Sequence, residues 1–82
     1  MFFAYVLYSD SAGKFYIGST RNVTHRLAVH NRRSVTSTKA FCPWKLVYSE
    51  SFSTLSEARR RELEIKSWKN PAYMAKTLNL SL

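Results

Sequence analysis

The chain has 82 residues, with thirteen Lys and Arg against five Asp and Glu, for a formal net charge of +8. A chain this short can bury only a modest core, so the expectation is a single domain over residues 1–82. At 45% hydrophobic and 15% aromatic it is too apolar for a disordered tail. The longest apolar run, Phe2 to Tyr8, is less than half a membrane span, which excludes a transmembrane helix built from it. The first residues carry neither a basic n-region nor a small-residue cleavage site, so a cytoplasmic protein is expected. A single cysteine, Cys42, excludes an internal disulfide and a cysteine-cluster zinc site. The surplus of positive charge predicts a polyanionic partner, because a basic surface attracts phosphate at long range.

Residues 2–8 (FFAYVLY) are aromatic and β-branched, which predicts a strand buried on both faces. The cluster from Ser9 to Gly13 predicts a turn, with Gly13 free to take a positive φ. Residues 15–19 (FYIGS) complete a hairpin whose loop is expected to be five or six residues long. Gly18, inside that strand, lets something approach the backbone closely. Asn22 is a good N-cap for a helix to about Arg33. Residues 34–42 show no period and are expected to be loop. Trp44 to Glu50 predicts a third strand. Thr54 and Glu57 form a capping-box signature for a helix to about Lys69. Asn70-Pro71 then opens a short last helix. The order β-β-α-β-α-α predicts an α+β fold, three antiparallel strands flanked by helices.

Polar groups stand where core is expected. With Ala58 at zero, Ile65 falls at about −20°, Glu62 at about +40° and Leu55 at about +60° on the second helix. A carboxylate inside an apolar stripe needs a cation, a metal or a cleft beside it. The alternative is a stripe-edge glutamate paired with Lys66, four residues on. On the first helix, Arg26 and His30 are i,i+4 neighbours beside the stripe of Val23 and Leu27. Tyr5 and Tyr16 sit on the paired strands, Tyr16 next to Gly18. Phosphodiester cleavage needs a cation to neutralise phosphate, a metal to polarise it and a base to activate water. Arg26 suits the first role and Glu62 suits a hard metal, while a tyrosine or His30 suits proton transfer.

These residues carry a resemblance. Tyr16-Ile17-Gly18-Ser19-Thr20 is similar to the second signature of the GIY-YIG nuclease superfamily, and Phe3-Ala4-Tyr5 stands for the first. Arg26 lies ten residues after Tyr16 and His30 four beyond that, as in the family pattern. Residues 56–66 resemble the family's glutamate helix. The resemblance spans about residues 3–69 and is closest to small stand-alone bacterial members. It implies a divalent-metal-dependent endonuclease using Mg²⁺ or Mn²⁺, with Glu62 as metal ligand and Arg26 stabilising the transition-state phosphate. Tyr5 and Tyr16 would line the site, and His30 would orient or deprotonate a tyrosine. Asn70 and Asn79 are candidates for the asparagine that many members carry after that helix.

The substrate expected is nucleic acid, with DNA favoured over RNA and single-stranded or branched forms among the candidates, read with little sequence specificity by a monomer or weak dimer, with no membrane partner. Its phosphates would meet Lys14, Arg21, Arg32, Arg33, Lys39, Arg59, Arg60, Lys66 and Lys69, with Arg61 and Lys76 in the same basic C-terminal third. Phe41, Trp44 and Trp68 are candidates to stack on unpaired bases, against core packing for the two tryptophans. The rival reading is a non-catalytic basic nucleic-acid-binding module.

Overall fold

The computed structural model describes residues 1–32, 35–36 and 38–80. Strands β1 (Phe2–Ser9), β2 (Lys14–Thr20) and β3 (Lys45–Phe52) form one antiparallel sheet in the order β2-β1-β3. The most apolar strand is thus the central one. Ala4 to Leu7 are all buried, because the sheet is covered on both faces and each alternate side chain finds a core. Tyr5 and Leu7 pack with Trp44, Val23 and Leu27 on one face. Val6 points the other way, against Ile65, Met74 and Leu78. Helix α1 (Val23–Asn31) lies on the first face; α2 (Leu55–Ser67) and α3 (Pro71–Thr77) cover the second. This is the α+β architecture the sequence predicts. Among the described residues no helix is long and apolar enough to cross a membrane.

Local signals set most of the boundaries. Asn22 caps α1 by accepting from the His25 N–H, Thr54 caps α2 from Glu57, and Asn70 caps α3 from Tyr73. The Thr54 hydroxyl also donates to Glu57 Oε1 at 3.1 Å, so the capping box closes through side chains. Gly13 takes φ +64° at the hairpin turn. The hairpin loop is shorter than expected, four residues rather than five or six, because Ser9 still pairs with Lys14. Ser9 is buried there and its hydroxyl donates to the Phe41 carbonyl at 2.7 Å.

Elsewhere tertiary contacts override the pattern. Within the expected loop, Lys39–Phe41 forms a short 3-10 helix. Trp44 stands outside β3 rather than opening it. Its indole donates to the Thr38 carbonyl at 3.0 Å, and Asn31 clamps its backbone N–H and C=O at 2.6 and 3.0 Å. The strand therefore begins one residue later and runs on to Phe52. Its pairing with β1 slips at Val6/Leu7, leaving Val47 as an extra residue. Leu55, expected in the apolar stripe of α2, is 38% exposed, so the buried stripe begins at Ala58. Arg33, named above as a phosphate contact, lies outside the described residues.

The phase of α2 is testable by stability. Ile65→Ala should cost about 2–5 kcal/mol in urea unfolding, as a fully buried aliphatic. Leu63→Ala, two residues away and 64% exposed, should stay within about 0.5 kcal/mol of wild type.

Candidate active site

The site begins with a missing side chain. Tyr5 on β1 stands directly opposite Gly18 on β2. A Cβ built on Gly18 would lie 2.6 Å from Tyr5 Oη and 2.7 Å from its Cζ, closer than any side chain tolerates. The phenol ring therefore lies flat across the β2 backbone, and only glycine permits this. In this pose the central strand carries a hydroxyl out to the edge of the sheet. Tyr16 stands two residues before Gly18 and hence on the same face, its ring centroid 6.4 Å from that of Tyr5.

Helix α1 supplies the next layer. His30 is fully buried and packs its ring 4.6 Å from Tyr16, centroid to centroid. Its Nδ1 is 2.9 Å from Thr38 Oγ1, and its Nε2 is 3.4 Å from Tyr5 Oη. The Thr38 hydroxyl donates to the Val35 carbonyl at 3.4 Å, so its lone pairs are left to receive Nδ1–H. By that inference Nε2 is the bare nitrogen and Tyr5 donates to it. Burial, and then the positive charge of Arg26, push the His30 pKa down, which keeps the imidazole neutral. Burial likewise pushes the Tyr5 hydroxyl up, and the facing Arg26 guanidinium opposes that shift without cancelling it. Arg26 is itself driven up by facing Tyr5.

Glu62 comes from the other face of the sheet. Its Oε1 accepts from the Ser19 hydroxyl at 2.7 Å and its Oε2 from the Lys66 ammonium at 2.6 Å. Both readings of the sequence hold together: the carboxylate pairs with Lys66, and it also faces a cleft. That cleft, about 440 Å³, straddles the edge strand and is lined by Tyr5, Tyr16, Gly18, Ser19, Arg26, Arg59, Glu62 and Leu63. Four of the five candidate catalytic residues meet in it. His30 lies beneath and reaches it through Tyr5. Ser19, Thr38 and Leu63 are parts of the site the sequence reading passed over. Ser19 was visible in the second signature, whereas nothing local marks Thr38 or Leu63.

A metal would find one carboxylate here. Among the described residues, no three His, Cys, Asp or Glu side chains come together as a cage. A lone, 17% exposed glutamate in a cleft fits a hard ion such as Mg²⁺, which keeps its waters and shares substrate phosphate oxygens.

The basic residues divide. Arg59 lines the candidate cleft, while Lys14, Lys66 and Lys69 line a second one between β2, α2 and the start of α3. Arg21 lies over the Phe2 ring, and Arg32 and Lys39 are exposed. Arg60 lines a groove with Glu50, Glu57 and Glu64. Arg61 is held by Glu50 and Glu64 at 3.1 and 2.9 Å, which raises its pKa and ties α2 to β3. Asn70 is spent as a helix cap and Asn79 is exposed; neither lines the candidate cleft. Trp44 is core, Trp68 is half-buried under Arg61, and Phe41 is half-buried under Lys14.

Two outcomes follow from this geometry. Gly18→Ala should displace the Tyr5 ring and cost about 1–3 kcal/mol of stability, seen in denaturation and in the Tyr5 aromatic NMR shifts. Because the folded His30 pKa lies below its unfolded value of 6.5, the unfolded chain binds the proton first on acidification. His30 therefore stabilises fully above that value and progressively less as pH falls towards its folded pKa. The acid slope of the thermal midpoint below pH 6.5 should be shallower in His30→Gln than in wild type. An unchanged slope would refute the buried neutral imidazole.

Comparison with known proteins supplies the family. The GIY-YIG catalytic domain matches residues 1–79. A UPF0213 protein of Staphylococcus haemolyticus (strain JCSC1435) is 50% identical over 54 residues, 65% of this chain and 66% of that one. A UPF0213 protein of Streptococcus pneumoniae serotype 4 (strain ATCC BAA-334 / TIGR4) is 38% identical over 60 residues, 72% of this chain and 61% of that one. The chain thus spans less than two thirds of either relative's length. The solution NMR structure of a UPF0213 protein from Bacillus halodurans is 30% identical, with a TM-score of 0.48, covering 82% of this chain and 72% of that one. With a family match that takes in every strand and helix around the cleft, the chain belongs to the GIY-YIG family, a superfamily of nucleases.

Proposed function

We propose that this chain is a divalent-metal-dependent endonuclease that hydrolyses phosphodiester bonds of DNA with little intrinsic sequence specificity. The observation that carries the reading is the cleft itself: one carboxylate, two guanidinium groups and two phenols converge across a single edge strand. Residues 1–82 act in this reading as one nuclease domain, since all three helices pack on the one sheet that bears the cleft.

Arg26 neutralises the scissile phosphate and gains from the charge that builds there in the transition state. Glu62 is the ligand for Mg²⁺ or Mn²⁺, which when bound supplies Lewis-acid polarisation of the phosphate. Tyr5 gives its proton to His30 Nε2 as its oxygen takes one from the attacking water. A neutral His30 is the right acceptor for that transfer. Its low pKa opposes protonation in the free protein, but part of the cause is Arg26, whose charge is compensated once a phosphate pairs with it. The Tyr16 ring holds the imidazole plane. The lysines and arginines around the cleft meet backbone phosphates, which position a strand without reading its sequence.

The test is cleavage of end-labelled single-stranded, duplex and branched DNA in Mg²⁺, Mn²⁺ or EDTA. Arg26→Ala should lose about 10²–10³ in rate, and Glu62→Gln should lose metal-dependent cutting while still binding DNA. Salt-sensitive binding by wild type with no cutting in either metal would instead identify a non-catalytic binding module.

A further inference from the structure

We propose that the Lys66 ammonium is a resident placeholder for the divalent cation at Glu62, so that metal uptake requires its displacement. The inference rests on the metal reading of Glu62 given above. Both oxygens of that carboxylate are engaged, one by the Ser19 hydroxyl at 2.7 Å and one by the ammonium at 2.6 Å. The two contacts differ in kind. A neutral hydroxyl can stay while a cation sits on the other oxygen. An ammonium competes, because a cation taking up Oε2 would stand close to a like charge that repels it.

The placeholder has a physical reason. Glu62 is only 17% exposed, and a carboxylate so placed is costly without a counter-charge. Lys66 provides one before any metal arrives. Its own side chain is 47% exposed, so it can leave without disturbing the backbone. The lysine stem also lines the adjoining cleft of about 440 Å³, beside Lys14 and Lys69 over Phe15, Ile17 and Met74. Lys66 thus borders both clefts, and the second one is where a displaced ammonium has room to go.

The experiment is a Mn²⁺ titration of the whole chain followed by NMR, reading the midpoint of paramagnetic broadening at the Ser19 and Glu62 amides. Lys66→Met keeps the stem and removes the charge; Lys69→Met removes a nearby charge that does not touch Glu62. The amide spectrum of each variant reports its fold. The midpoint of Lys66→Met should fall about two- to fivefold below wild type, the scale of a partly exposed i,i+4 ion pair. Lys69→Met should stay at the wild-type midpoint. Equal midpoints in wild type and Lys66→Met overturn the inference, and so do equal shifts in both variants, which net charge would explain. Glu62→Gln separates the two levels. Broadening of its Ser19 amide at the wild-type midpoint would mean the ion does not sit on Glu62, and the metal reading would fall with the placeholder.

Discussion

Tyr5 lying across Gly18 is the contact on which the site depends. A central strand is the most rigid part of a three-stranded sheet, but its side chains are normally confined to the core. Removing one Cβ on the neighbouring edge strand lets a core tyrosine put its hydroxyl into a cleft while its ring stays buried. The hydroxyl thus inherits the rigidity of β1. It also inherits a desolvated surrounding, which keeps it protonated and makes His30 its natural partner. A tyrosine placed on a loop would have neither property.

The imidazole is fixed from behind by a chain of contacts that carries no charge. Thr38 orients His30, the Trp44 indole binds the Thr38 carbonyl, and Asn31 holds Trp44 to the end of α1. The Cys42 thiol donates to the His30 carbonyl at 3.0 Å and closes the loop. The described residues of the irregular segment between α1 and β3 therefore support the Tyr5–His30 contact rather than serving as a spacer. No buried side-chain N or O among the described residues is left without a partner.

Charge is distributed to match. Of the five acids, Glu50 and Glu64 are bound to Arg61 and Glu57 accepts from the Thr54 hydroxyl at the start of α2, while Asp10 pairs with Lys45 at 3.3 Å. That leaves Glu62 as the one carboxylate in the cleft. In a chain of net charge +8 this arrangement leaves an excess of positive charge around the cleft. Helix α2 does both jobs at once: Arg61 on one side fastens it to β3, and Glu62, one residue on, serves the opposite edge.

What the sequence alone determined is everything that depends on short-range order. Apolar runs and caps placed the strands and helices, and the helical period put Glu62, Arg26 and His30 beside the apolar stripes, because those effects act within a few residues. The glycine in β2 announced a close approach without naming what approaches. Only the tertiary structure decided that the visitor is Tyr5 of the neighbouring strand, that Glu62 reaches the cleft from the opposite face beside Ser19, and that His30 lies beneath it against Tyr5. It alone brought in Thr38 and Leu63, and it alone sent Arg61 to a structural pairing while Arg59 faces the cleft. Those choices rest on strand register, on which face each helix covers and on contacts between residues far apart in the chain. A local pattern carries no record of them, since the energy that selects them exists only once the layers have packed.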